Sequence, residues 1–144
     1  AAILLVKLKQ LEKEIAARQD IAAEYNDRLI DSGCSSFPII NAQCKSVYAQ
    51  YTIRVKNRAQ VREALMKMGI PTAVHYPMPI YKQKAYLENI DHLESQKASN
   101  EVLSLPFSPF LEKNVIKFIV EEIAKVAIFP RNVCSHSNCC EECI

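Results

Sequence analysis

Apolar residues recur at helical spacing through the first part of the chain. Leu4, Leu8, Leu11, Ile15, Ala22, Tyr25 and Leu29 follow alternating steps of four and three, with Arg18 at the one charged step. The pattern predicts one long helix over residues 1–31, unbroken by Pro or Gly until Gly33, a fitting left-handed stop. So short a seam, with a charge on it, favours an amphipathic helix packed on a core over a coiled coil. Lys9, Lys13, Glu14, Asp20, Glu24 and Asp27 fill the other faces, as solvated residues do. The helical pattern is already running at Ala1, with no Met, cap or polar lead-in, which reads as a chain cut from something longer.

The period then falls to two. Over residues 46–56, Val47, Ala49, Tyr51, Ile53 and Val55 alternate with polar residues, the mark of a half-buried strand. Asn57 is a candidate N-cap for a helix reaching Met68, with Val61, Ala64, Leu65 and Met68 on its apolar side and Gly69 closing it. A second strand is predicted over residues 70–75, making 46–75 a strand-helix-strand unit. Residues 81–96 read as one or two short helical turns in a long loop, and ASNEVLSLPFSPF, from Ala98, then offers a short helix. A brief strand is expected over 102–105, then a Pro-Phe-Ser-Pro turn whose Phe107 and Phe110 suit packing rather than base stacking. A final helix is expected over 111–127, with Val115, Ile119, Ile123 and Val126 inward and Ile116, Val120 and Ala127 widening the stripe. The fold class is therefore α+β: a small antiparallel or mixed sheet of about three strands, covered by helices, one of them very long.

Length and composition agree with this. A chain of 144 residues that is 49% hydrophobic and 24% charged can bury a real core. A net charge of +2 selects no class of partner, and Arg54, Lys56, Arg58 and Arg62 read as a solvated face rather than a nucleic-acid groove. No apolar run approaches membrane-spanning length, and the start lacks the layout of a signal peptide, so cytoplasm is expected, with no membrane or nucleic-acid partner. The six cysteines are too unevenly placed for a disulfide scaffold. Cys34 reads as a free loop thiol. Cys134, Cys139, Cys140 and Cys143 crowd the end beside His136, a spacing that could ligate zinc; without a second ligand pair, a disordered Cys-rich extension is the expected state of residues 128–144, with no metal.

The stretch with a functional setting is GIPTAVHYPMPIY, residues 69–81. A short apolar run delivers His75 and Tyr76 to its end, and Pro77 and Pro79 stiffen the chain just beyond them. The chemistry of the residues leaves a structural and a ligand-binding role for His75 equally open. Two glycines exclude a Gly-rich phosphate loop, and no nucleophile elbow or carboxylate pair is visible.

Four segments in order, the N-terminal helix, SVYAQYTIRV, GIPTAVHYPMPIYKQKAY and ASNEVLSLPFSPF, resemble the C-terminal part of the DegT/DnrJ/StrS sugar aminotransferases. The resemblance implies a pyridoxal-phosphate enzyme of the aspartate-aminotransferase fold, moving an amino group from glutamate to a UDP- or dTDP-linked keto sugar. It implies a homodimer in the parent enzyme, and its subtype is similar to the enzymes that aminate UDP-linked 3-keto sugars for surface polysaccharides. Residues 1–31 would be the helix leaving the large cofactor domain, and residues 32–127 the small C-terminal domain. His75 and Tyr76 match the family's His-Tyr pair that faces substrate. The Schiff-base lysine, the aspartate at the pyridinium nitrogen and most phosphate contacts belong to the family's large domain, which has no counterpart in this sequence. The resemblance therefore implies no catalytic or cofactor-binding residue here, no cofactor held covalently, and inactivity of the chain alone. The alternative is a non-catalytic sugar-nucleotide-binding or protein-interaction module of the same fold.

Overall fold

In a computed structural model, residues 2–34, 36–86 and 92–130 are described. The Cys-rich segment from residue 131 onward, with its expected lack of metal, lies outside them.

The N-terminal helix comes in two pieces, α1 (Ala2–Leu8) and α2 (Leu11–Asp31). The expected single helix is interrupted at Lys9 and Gln10, where the Gln10 N–H bonds the Lys7 carbonyl three residues back, at 3.0 Å. That tightening falls where the helix leaves the core: α1 buries no residue, whereas α2 buries Ile21, Ala22, Tyr25 and Leu29. The predicted seam is thus real packing only over its second half. Gly33, at φ +80°, lets the chain turn off the end of α2.

Strand β1 (Tyr51–Arg54) is shorter than the alternating pattern that announced it. Tyr48 sits at φ +44°, which breaks the extended run, and its carbonyl accepts from Arg18 at 3.1 Å. The Ser46 carbonyl likewise accepts from Gln19 at 3.1 Å. Residues 46–48 are tied to α2 rather than to a strand, and the charged step in the helical seam is what ties them.

β1 leads into α3 (Arg58–Lys67), which Gly69 closes at φ +74°. Asn57 stands at the N-cap but makes no capping bond. Its amide instead clamps the far end of the domain, donating to the Val126 carbonyl and accepting from the Ile128 N–H, each at 2.8 Å. Helix α4 (Leu93–Glu101) runs without a loop into β2 (Val102–Leu105), and α5 (Lys113–Val126) follows.

β1 and β2 pair antiparallel in the register Tyr51↔Leu105, Thr52↔Ser104, Ile53↔Leu103 and Arg54↔Val102. The expected third strand over residues 70–75 shrinks to one bridge, Ala73↔Ser104, on the other edge of β2. Pro71 has no N–H to offer a ladder, and Pro77 and Pro79 end the extended run beyond it. The architecture is α+β as expected, with a two-stranded sheet in place of about three strands.

Alternation along the sheet divides its faces. Tyr51, Ile53, Leu103 and Leu105 enter a core shared with α2, α3 and α5. Ile116, Ile119, Val120 and Ile123 supply the α5 side; Val115, expected inward, is 39% exposed, so the buried stripe is turned by about a residue. The other sheet face carries the Thr52 and Ser104 hydroxyls, 2.9 Å apart.

Candidate functional site

The chain beyond the Ala73 bridge leaves the sheet edge and becomes one wall of a cleft, with α4 as the other. Ile70 is buried and anchors the segment; Pro71, Pro77 and Pro79 restrict its path. A short 3-10 turn (Ile80–Lys82) follows. The cleft has a volume of about 560 Å³, within the range of small-molecule sites. Its polar and aromatic lining includes His75, Tyr76, Tyr81, His92, Ser95 and Ser99.

His75 is half-buried at the inner end. Its Nδ1 lies 3.1 Å from the Ser104 Oγ, so the ring is held from the sheet. Tyr76 is 73% exposed, and its ring stands edge-on to that of His75, centroids 5.7 Å apart at 82°. The peptide bond between the two residues is cis. His75 is braced by its bond to Ser104, while Tyr76 projects into the opening.

Tyr81 and His92 form a second edge-on pair across the cleft, with centroids 5.2 Å apart. The Tyr81 hydroxyl reaches Gln96 on α4 at 3.4 Å, joining the 3-10 turn to that helix. Sequence reasoning did not single out His92, Tyr81, Ser99, Ser104 or Thr52. His92 is exposed but borders the cleft. Only the strand alternation, which puts Thr52 opposite Tyr51 and Ile53, carried a signal for any of these.

Two of the basic residues near β1 are committed elsewhere. Arg54 pairs with Glu101 at 2.8 Å, and Arg58 donates to the carbonyls of Ser99 and Val102, closing the end of α4. Burial, with Arg62 nearby, lowers the Arg58 pKa. These guanidiniums hold the α4–β2 junction and so shape the cleft floor from behind. Cys34 is a free thiol, as expected, but is buried in the core, and burial pushes its pKa up, which suppresses the reactive thiolate.

Among the described residues the cleft lining contains no Lys, Arg, Asp or Glu. The described lining residues offer no amine for a Schiff base and no carboxylate to pair with a pyridinium nitrogen. These residues therefore do not fit a covalently held pyridoxal phosphate. They fit a hydroxyl-bearing group that hydrogen-bonds to imidazole and phenol and rests on aromatic faces.

The chain is similar to known proteins over most of its length. The chain is 48% identical over 120 residues to the UDP-2-acetamido-2-deoxy-3-oxo-D-glucuronate aminotransferase of Pseudomonas aeruginosa, a match covering 83% of this chain and 33% of that protein. It is 34% identical over 125 residues to the dTDP-3-amino-3,6-dideoxy-alpha-D-galactopyranose transaminase of Aneurinibacillus thermoaerophilus, covering 85% of this chain and 34% of that one. The crystal structure of a DegT DnrJ EryC1 StrS aminotransferase from Brucella abortus superposes with a TM-score of 0.79 at 34% identity, over 86% of this chain and 34% of that one. The chain thus spans about a third of the length of the curated relatives it matches. With the matching segments in order and the family's model matching residues 1–124, the chain belongs to the DegT/DnrJ/EryC1/StrS aminotransferase family.

Proposed function

We propose that this chain forms one wall of the substrate site in a pyridoxal-phosphate-dependent aminotransferase that moves an amino group from glutamate to a keto sugar nucleotide. The observation that carries the proposal is the cleft itself: His75 stands at its inner end with Tyr76 beside it at the opening, in a described lining of aromatic, imidazole and hydroxyl side chains. A hexose presents hydroxyls to such groups and its C–H face to the rings. The Nε2 of His75, its Nδ1 being held by Ser104, and the Tyr76 hydroxyl can donate or accept toward it. The Schiff-base lysine and the cofactor's phosphate and pyridinium contacts would come from residues other than those of this cleft. The UDP- and dTDP-sugar names of the relatives support a UDP- or dTDP-linked substrate. A homodimer and a cytoplasmic location belong to the same proposal. Among the described residues no helix is long and apolar enough to cross a membrane.

A non-catalytic sugar-nucleotide-binding module is the second reading, favoured by the lack of Lys, Arg, Asp and Glu among the described lining residues. One experiment separates the two. Residues 1–124 replace the matching third of the Pseudomonas relative, and the hybrid is assayed for amine formation from a UDP-linked 3-keto sugar with glutamate. The expected result is an active hybrid whose kcat/KM for the sugar falls about tenfold or more with His75→Ala and with Tyr76→Ala, roughly the loss of one substrate hydrogen bond. A hybrid that binds cofactor but makes no amine favours the binding module. An active hybrid indifferent to both substitutions refutes the roles of His75 and Tyr76. For the chain alone, borohydride reduction after incubation with pyridoxal phosphate should leave no adduct specific to one lysine.

A further inference from the structure

We infer that Ser104 is a positioning residue for His75, backed by Thr52, and that the two hydroxyls leave the imidazole able to present either a lone pair or an N–H to the cleft. The ligand half of this inference rests on the proposed function; the hydrogen-bond half does not.

Ser104 grips the segment that carries His75 twice. Its backbone N–H donates to the Ala73 carbonyl at 2.8 Å, and its carbonyl accepts from the Ala73 N–H at 3.1 Å. Two residues on, its side-chain oxygen meets His75 Nδ1 at 3.1 Å. The same oxygen lies 2.9 Å from the hydroxyl of Thr52, its partner across the sheet. Ser104 is only 5% exposed, so water competes little for these bonds. Among the described residues Nδ1 is the His75 ring nitrogen with a protein partner, which leaves Nε2 for a ligand.

The chemistry rests on what a hydroxyl can do. It has one donor and can accept as well. If His75 carries its proton on Nδ1, it donates to Ser104, Ser104 donates to Thr52, and Nε2 is an acceptor. If Ser104 donates to Nδ1, Thr52 donates to Ser104, and Nε2–H is a donor. Rotating two hydroxyls accommodates either tautomer without creating a charge. A carboxylate in Ser104's place would hold the proton on Nδ1 and favour the imidazolium. This relay thus suits a site whose ligand offers both hydroxyl hydrogens and carbonyl or carboxylate oxygens, as a keto sugar and an amino acid do in turn.

A cross-strand Thr–Ser pair can also serve only to stabilise a sheet. Coupling to His75 separates the two roles. The full chain is labelled with 15N-histidine, and the His75 ring nitrogens are followed in wild type, Ser104→Ala, Ser104→Thr and Thr52→Val. Ser104→Ala is expected to move the Nδ1 resonance of His75 and not those of His92, Ser104→Thr to restore it, and Thr52→Val to move it less. An Nδ1 resonance unmoved by Ser104→Ala overturns the inference; should that variant not fold, an Nδ1 resonance unmoved by Thr52→Val overturns the relay. Titration with UDP-N-acetylglucosamine then tests the ligand half. Ser104→Ala should raise Kd about tenfold, worth about 1.4 kcal/mol, and have almost no effect once His75→Ala is present. An equal factor in both backgrounds makes Ser104 merely structural and overturns the inference. If His75→Ala leaves Kd unchanged, the substrate role proposed for His75 falls, and the Nδ1 shift alone decides whether Ser104 positions it.

Discussion

Raising the pH should unfold this domain through two phenols beneath the sheet. Tyr25 and Tyr51 are fully buried, with rings stacked 4.7 Å apart at 21°. Tyr25 donates to the Pro106 carbonyl at 2.8 Å, and Tyr51 to Asn26 Oδ1 at 2.6 Å. Burial pushes both phenols far above their ordinary value, and for Tyr51 the neighbouring Cys34, Tyr48 and Tyr25 push further the same way. In the unfolded chain a tyrosine loses its proton near pH 10, while these two keep theirs in the fold. Above about pH 10 the folded state therefore binds more protons than the unfolded state. The stability tied to these groups is full below that pH and is lost as pH rises toward the folded values. The slope is about 1.4 kcal/mol per pH unit for each tyrosine, hence roughly 2.8 for the pair and about 5 kcal/mol between pH 10 and 12. A typical domain has only about 5–15 kcal/mol in all, so alkaline unfolding should fall in that window. Urea denaturation at pH 8, 10, 11 and 12 measures it. The buried Cys34 thiol also titrates upward-shifted, so the series is run in a Cys34→Ala background. Tyr25→Phe and Tyr51→Phe should each cost about 1 kcal/mol at pH 8 through the lost hydrogen bond and each halve the slope above pH 10. A slope that neither substitution changes would refute the reasoning.

Asn57→Ala should destabilise the domain by about 1–3 kcal/mol in the same assay, because the Val126 carbonyl and Ile128 N–H lose the amide that bridges them; a change below a few tenths would show that water replaces it. With an aromatic disulfide reagent and peptide mapping, exposed Cys44 should label quickly and buried Cys34 only as fast as the fold opens, so equal rates would count against a closed core there. Leu4, Leu5 and Leu8 are 69%, 62% and 61% exposed along α1, so the chain should self-associate, and Leu4→Lys with Leu8→Lys should return it to monomer. A wild-type chain that sediments as a monomer at high concentration would contradict this.

Much of the fold was legible locally. Periodicity found α2, α3, α5 and β1, because each buries one face and its spacing records which. Gly33 and Gly69 marked two helix ends because both take positive φ. The α+β class came from the order of periods, and the family from four segments in sequence. The ends of the elements were not legible. β1 is clipped by Arg18 and Gln19, which bond to residues about thirty positions away, and the third strand is reduced to Ala73 by what Pro71 cannot donate. Asn57 was recognisable as a cap by type, yet it binds residues some seventy positions on, which no local pattern encodes.

The site divides the same way. His75 and Tyr76 stood out because prolines isolate them and the family's pair has the same order. That His75 is braced by Ser104 and Thr52, and that His92 and Tyr81 meet on the other side of the cleft, was decided by folding alone. Sequence by itself determined the periods, the turns and the polar pair at the end of an apolar run, since these depend on neighbours in the chain. The tertiary structure decided the partners, since a hydrogen bond between residues 75 and 104 exists only when a sheet edge brings them together.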